Sequence, residues 1–237
     1  MADLVNRVRR FVAKALQALA HPRDLDFSTV SAAASVHPAA RIVSSQLHGK
    51  VTVGKNSVVK ESFILADGVE VTLGRNTSLW GPNIDIYCRL NPVTIGSFCS
   101  IARNVSMQEY NHRIDRCSSY FFASNVFGRD QGEDMASRGA IVIGNDVWIG
   151  SQVVVVSGAV IGDGAVIGAN SVVTGTIPPY AIAAGSPAKV IKYRFDEEIV
   201  DRLLALKWWE WDDDRIFRNR EFFLNPMSRE LLDQVKD

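Results

Sequence analysis

The chain has 237 residues with 26 basic and 26 acidic side chains, so its formal net charge is zero, and 47% of its residues are hydrophobic. That balance excludes a globally basic nucleic-acid binder and a disordered acidic chain, and leaves one sizeable domain with appendages. Three cysteines, Cys88, Cys99 and Cys117, with no CxxC pair, exclude a disulfide framework and zinc-finger spacing, and point to a reducing, cytoplasmic setting.

The first predicted element is a helix over residues 2–20. Leu4, Val5, Val8, Phe11, Val12, Ala15, Leu16 and Leu19 fall at helical spacing, and His21-Pro22 stops it. Arg7, Arg9, Arg10 and Lys14 interrupt the apolar run that a secretory signal would keep unbroken. Residues 1–30 therefore read as an amphipathic helix and linker. Two readings of the helix stand: a cap or subunit contact with its basic residues in solvent, which is preferred, and a helix resting on anionic lipid at the inner face of the membrane.

Residues 31–190 read as one domain built on a six-residue repeat. Its clearest part takes Ile143, Ile149, Val155, Ile161, Ile167 and Val173, all β-branched. Four places after each come Val147, Val153, Ala159, Ala165, Ser171 and Ile177, all small or apolar. Neither a 3.6-residue nor a two-residue period predicts this pattern. A hexad is one short strand plus a turn, with the aliphatic pointing inward and Gly, Asn or Asp at the corner. Three hexads make a triangular coil, and coils stack into a solenoid with a continuous core. Upstream, Ile95, Ile101 and Met107 keep step with Ile143. Val53, Val59 and Leu65 form another run, and Leu73 and Leu79 a third, offset by two residues. The offset predicts slips or bulges between Leu65 and Ile95. Between Arg138 and Lys189 only Asp146 and Asp163 are charged, but the regular Gly, Ser and Asn residues argue against a membrane-spanning helix there.

Residues 108–140 break the repeat. They hold Tyr110, Tyr120, Phe121, Phe122 and Phe127 among charged residues, which reads as an ordered functional loop. Residues 191–237 read as a helical extension: a helix over 196–207 with Glu197 and Glu198 in its first turn, then Trp208, Trp209 and Trp211, then a short helix over 212–223. Helices at both ends fit a solenoid's need for caps.

The hexads, together with Asp146-Val147-Trp148-Ile149-Gly150 and Ala184-Gly185-Ser186-Pro187-Ala188-Lys189-Val190-Ile191, resemble the left-handed β-helix acyltransferases over residues 93–211. Tyr110-Asn111-His112-Arg113-Ile114-Asp115 looks like the catalytic loop of those enzymes. The stretch from Tyr193-Arg194-Phe195-Asp196 to Trp208-Trp209-Glu210-Trp211 resembles their xenobiotic branch, which includes streptogramin and chloramphenicol enzymes and many saccharide O-acetyltransferases. The resemblance implies a mainly β fold, a left-handed parallel β-helix with a long catalytic loop and terminal helices. It also implies a homotrimer with active sites between subunits, acetyl-CoA as co-substrate, and no metal. Residues 31–80 carry more hexad sequence than the antibiotic enzymes have before their loop, which favours a sugar acceptor.

Acyl transfer from a thioester to a hydroxyl needs a base for the hydroxyl proton and donors for the developing oxyanion. His112 is the candidate base, since an imidazole titrates near neutral pH. Asn111 stands in the matching motif, and Glu109 or Asp115 could orient the ring from its far nitrogen. By the same resemblance Trp148 walls the pantetheine arm from an outward-pointing turn. Ser151, Ala169 and Thr174 line the cofactor groove, and Lys189 and Lys192 meet the CoA phosphates. This chain has Gly175 where some sugar enzymes have Lys, and Tyr120-Phe121-Phe122 where the family has Tyr-Pro-Phe. Cys117 lies near His112 in sequence but reads as a packed or incidental thiol rather than a nucleophile. The expected activity is acetyl-CoA-dependent O-acetylation of a cell-envelope saccharide or its precursor. The alternatives are an antibiotic acceptor, an amino-sugar N-acetyltransferase, and a non-catalytic binding solenoid.

Overall fold

The computed structural model describes residues 27–236. The expected helix over 2–20 lies outside the described residues. From residue 29 to residue 184 the chain winds as a parallel β-solenoid of triangular section. Face one stacks residues 29–30, 46–47, 63–64, 85–86, 106–107, 154–155 and 172–173. Face two stacks 35–36, 52–53, 72–73, 94–95, 142–143, 160–161 and 176–177. Face three stacks 41–42, 58–59, 78–79, 100–101, 148–149, 166–167 and 182–183.

The second residue of each pair is the inward one, and these residues form the core. Ile64, Ile86, Met107 and Val155 fill face one, Leu73, Ile95, Ile143 and Ile161 face two, and Leu79, Ile101, Ile149 and Ile167 face three; each is at most 1% exposed. β-Branched and Leu side chains stack on their equivalents one coil away, so burial is continuous along the axis. Ile95, Ile101 and Met107 pair with Ile143, Ile149 and Val155, as the hexad step predicts.

The predicted slips occur at widened corners. Residues 67–69 are extra against the Gly49–Lys50 step, and residues 81–83 stand against the single Glu61, two residues extra. One sequence assignment is corrected. Leu65 faces outward beside His48 and Tyr87, and Ile64 takes the inward place, because the corner at Glu61 shifts the phase by one residue.

Two corners turn on left-handed residues at a fixed register. Asn56, Asn76, Phe98, Asp146, Gly164 and Tyr180 mark the corner between faces two and three. Ser44, Glu61, Asn83, Asn104, Gln152 and Asn170 mark the corner between faces three and one.

After residue 184 the strand Lys189–Tyr193 turns back antiparallel on Ala181–Ala184. The helix Glu197–Leu206 follows, with the Asp196 carboxylate accepting from the Ile199 N–H at 3.0 Å. The expected second helix is two pieces, Asp213–Arg218 and Arg220–Leu224, and a further helix spans Arg229–Asp233. This extension is not an end cap. It climbs the corner between faces two and three, burying Trp208, Trp209, Trp211 and Phe222 with Tyr180. Phe98 meets Trp208 at 4.9 Å between ring centroids, and Lys55 reaches Asp213 at 2.6 Å. No helix among the described residues is long and apolar enough to cross a membrane.

Candidate active site

The long loop leaves face one after Ser106–Gln108 and rejoins face two at Ile141–Ile143, so it stands on the corner between those faces. Two buried carboxylates shape it. Glu109, fully buried, accepts from Arg89 N–H (3.2 Å), Leu90 N–H (2.9 Å), Asn91 Nδ2 (2.8 Å) and Ser137 Oγ (2.5 Å). It thereby ties both ends of the loop to the corner of the preceding coil. Asp134, also buried, accepts from Ala123 N–H (3.1 Å), Ser124 N–H (2.9 Å), Ser124 Oγ (3.2 Å) and Arg116 Nη1 (3.1 Å). Burial alone would push its pKa up, but the donors from Ser124 and Ala123 and the Arg116 charge outweigh that and hold it below the usual range. Asn111–His112 pairs antiparallel with Met135–Ala136. The result is an ordered hairpin, with the short helix Phe122–Asn125 held against the Gln131–Asp134 turn by Asp134.

His112 stands exposed on this hairpin. Its Nδ1 lies 2.7 Å from the Ser119 carbonyl oxygen, and its ring meets Phe121 edge-on at 4.4 Å. A carbonyl can only accept, so the neutral ring carries its proton on Nδ1 and its lone pair on Nε2. With Tyr87, Gln108, Tyr110 and Asn111 it lines a recess of about 280 Å³. Asn111 Nδ2 donates to Ser157 Oγ at 3.3 Å, joining the hairpin to the next coil. The two carboxylates suggested as orienting groups do other things: Glu109 is spent on the loop base, and Asp115 forms a two-pronged pair with Arg113 (3.0 and 2.5 Å). The orienting acceptor is the Ser119 main chain.

The residues expected around the co-substrate fall in two places. Trp148 opens the strand Trp148–Ile149 rather than sitting in a turn, and it points outward with 57% of its surface exposed. On its ladder the outward positions run Trp148, Val166, Ile182, Lys192. The next positions along, Gly150, Gly168, Ala184 and Lys189, are small until the lysine. Lys189 and Lys192 are both exposed. Ser151 and Ala169 turn the adjoining corner between faces three and one. A recess of about 480 Å³ opens there, lined by Trp80, Trp148, Ser78, Ser100, Arg103 and Ser151. Thr174 is separate: it follows the face-one pair 172–173 at the corner from which the His112 loop departs. Within one chain, His112 and Trp148 therefore stand on different parts of the prism.

Sequence reasoning missed Trp80, Arg103, Tyr87 and Ser119. Trp80 was accessible to it, since alternation around inward Leu79 puts residue 80 outside. Ser119 carries no signal, because it acts through its backbone. Burial pushes the Cys88 and Cys99 thiols up to about 12, so neither is a nucleophile near neutral pH. No cluster among the described residues could hold a metal ion.

Residues 140–175 match the bacterial transferase hexapeptide (six repeats) family. A probable macrolide acetyltransferase from Lysinibacillus sphaericus is 44% identical over 58% of this chain and 80% of its own length. A chloramphenicol acetyltransferase from Klebsiella aerogenes is 43% identical over 54% of this chain and 63% of its own length, so the chain spans less than two thirds of that relative. The crystal structure of the polySia-specific acetyltransferase NeuO superposes with a TM-score of 0.55 at 28% identity, covering 69% of this chain and 70% of that one.

Proposed function

Because the chain belongs to the hexapeptide-repeat acetyltransferases, we propose that it moves an acetyl group from acetyl-CoA to a hydroxyl of a saccharide, with His112 as the general base. The observation that carries this reading is the imidazole whose Nδ1 is held by Ser119 O and whose ring lines a recess. Nε2 takes the proton from the acceptor hydroxyl. The oxygen forms its bond to the thioester carbonyl carbon, the carbon–sulfur bond breaks, and the leaving thiolate recovers the proton from the imidazolium. The thioester is already activated, so no covalent enzyme intermediate is required.

The acyl donor runs down face three. Its thioester end lies at Trp148, small residues leave room along Gly150 and Gly168, and Lys189 and Lys192 meet its phosphates. Trp148 and Lys192 are three strand steps apart, about 14 Å, which suits an extended pantetheine arm. His112 and Trp148 occupy different places on the prism, so the complete site forms between neighbouring copies of a trimer. The coils before the loop, and a 36% identical polysialic acid O-acetyltransferase from Escherichia coli covering 60% of this chain, support a saccharide acceptor. Acetyl-CoA supply fits a cytoplasmic setting. A second reading, an antibiotic acceptor, is favoured by the macrolide and chloramphenicol relatives.

The test is release of CoA thiol from acetyl-CoA across sugars, nucleotide-sugars and antibiotics, with native protein and His112→Ala. Release with one sugar class that falls by about three orders of magnitude in the variant supports the reading. Release with chloramphenicol or a macrolide alone promotes the second. Turnover that survives in His112→Ala removes His112 as the base.

A further inference from the structure

The recess beside His112 does not end at Tyr87. On face one the outward positions of successive coils form two rows. One runs Gln46, Phe63, Asp85, Ser106, and the other His48, Leu65, Tyr87, Gln108. Their inward neighbours Leu47, Ile64, Ile86 and Met107 are completely buried, so these rows are the outer surface of the sheet. Three half-buried rings lie in contact across it. His48 and Phe63 are 5.3 Å apart, and Phe63 and Tyr87 are 5.4 Å apart, both tilted. Polar groups border the rings: Asp85 Oδ2 accepts from Ser106 Oγ at 2.6 Å, Gln108 Nε2 donates to Ser106 Oγ at 3.1 Å, and Gln46 faces His48 at 3.3 Å.

We propose that His48, Phe63 and Tyr87 form a run of subsites for an extended saccharide, a chain of several sugar residues whose modified end lies in the His112 recess. The proposal rests on the reading of His112 as an acetyl-transfer centre with a saccharide acceptor. A recess of about 280 Å³ holds little more than one sugar, so a longer acceptor must leave it along the surface. Toward the later coils that surface offers first the apolar Val154 and Val156, with a single hydroxyl, Thr174, one coil farther on. Toward the earlier coils it offers aromatic faces, on which the C–H faces of a pyranose stack, beside carboxylate and amide groups that take its hydroxyls. Strands one coil apart are about 4.8 Å apart, close to the advance of one sugar along an extended chain. Tyr87 belongs to both the recess and the ring run, which makes the path continuous.

The test separates binding from chemistry. Native protein, His112→Ala, Phe63→Ala and His48→Ala are applied to immobilised oligosaccharides of neutral, amino and acidic sugars and to the single sugars they contain. Sedimentation gives the oligomeric mass of each. The expected result is oligosaccharide binding by the native protein that His112→Ala retains. Phe63→Ala and His48→Ala should weaken it about tenfold, the loss of one aromatic stacking contact. Acetylation of a single-sugar acceptor should not change in those two variants. Equal binding by native and Phe63→Ala protein overturns the proposal, as does native protein that binds no oligosaccharide. A changed oligomeric mass in Phe63→Ala also overturns it, since the rings would then be a subunit contact. Retained glycan binding without acetyl transfer to any acceptor sinks the reading of His112 alone.

Discussion

A single carbonyl oxygen decides what His112 can do. Ser119 O fixes the proton on Nδ1, and the Phe121 edge limits ring rotation, so Nε2 keeps its lone pair, with no carboxylate among the described residues bonded to the ring. The ring's position then depends on the loop, and the loop depends on Asp134. Because Asp134 has a lowered pKa, its contribution is fully present above the ordinary aspartate value of 3.8 and is lost only as pH falls through the lower folded value. Loss of activity on mild acidification therefore cannot come from this group. Asp134→Asn keeps the shape but weakens the hold on Arg116, Ala123 and Ser124. It should lower kcat/KM by about tenfold and leave the acidic limb of the pH–rate profile where it was. A shifted limb would mean that Asp134 touches the titrating centre. The motif around His112 was readable in the sequence, but its partner was not. Glu109 and Asp115 were the nearby carboxylates, and one is turned inward by four donors while the other is taken by Arg113.

Between coils, the left-handed corner register governs what each corner can carry. Asn, Asp and Gly meet it at little cost, whereas Phe98 and Tyr180 meet it as bulky residues at φ 61 and 54. Those two rings are where the C-terminal extension docks: Trp208 on Phe98, Phe195 on Tyr180, and the Arg75 and Arg194 guanidiniums over them. The backbone strain is thus offset by packing that the hexad pattern does not describe. The aliphatic and small positions were legible because every coil repeats them. The extension's path was not, since a buried Trp reads the same over an end or along a corner. Gly164 tests the corner. Its φ is +70, and a Cβ there would stand 2.5 Å from the Tyr180 ring. Gly164→Ala should cost about 2–4 kcal/mol from left-handed strain and overpacking. Ile149→Ala, fully buried on face three, should cost about 2–5 kcal/mol. Urea unfolding followed by circular dichroism measures both. A Gly164→Ala midpoint equal to native would mean that the left-handed backbone and the Tyr180 ring do not close this corner to a side chain.

Across the whole prism the corners divide the work. The corner between faces one and two carries the His112 hairpin, braced by Arg89, whose guanidinium pairs with Asp67 and with Asp130. The corner between faces two and three is covered by the C-terminal helices. The corner between faces three and one opens the recess of Trp80, Trp148 and Arg103. Trp148 and Trp80 are each more than half exposed, as are Phe127, Ile191 and Ile114, which is more apolar surface than an isolated chain needs. One chain carries the Trp148 surface and the His112 imidazole at separate places. If the site joins the hairpin of one copy to the tryptophan surface of the next, two inactive proteins should repair each other. His112→Ala supplies an intact Trp148 surface, and Trp148→Ala supplies an intact imidazole. Refolded together in equal amounts, random closed trimers place both native groups in about a quarter of their sites. Activity should then return to about a quarter of the native value, whereas mixing the assembled variants without refolding should give none. Recovery absent after refolding, with the mixed oligomer demonstrated by mass, would put base and donor surface in the same chain and overturn the shared site.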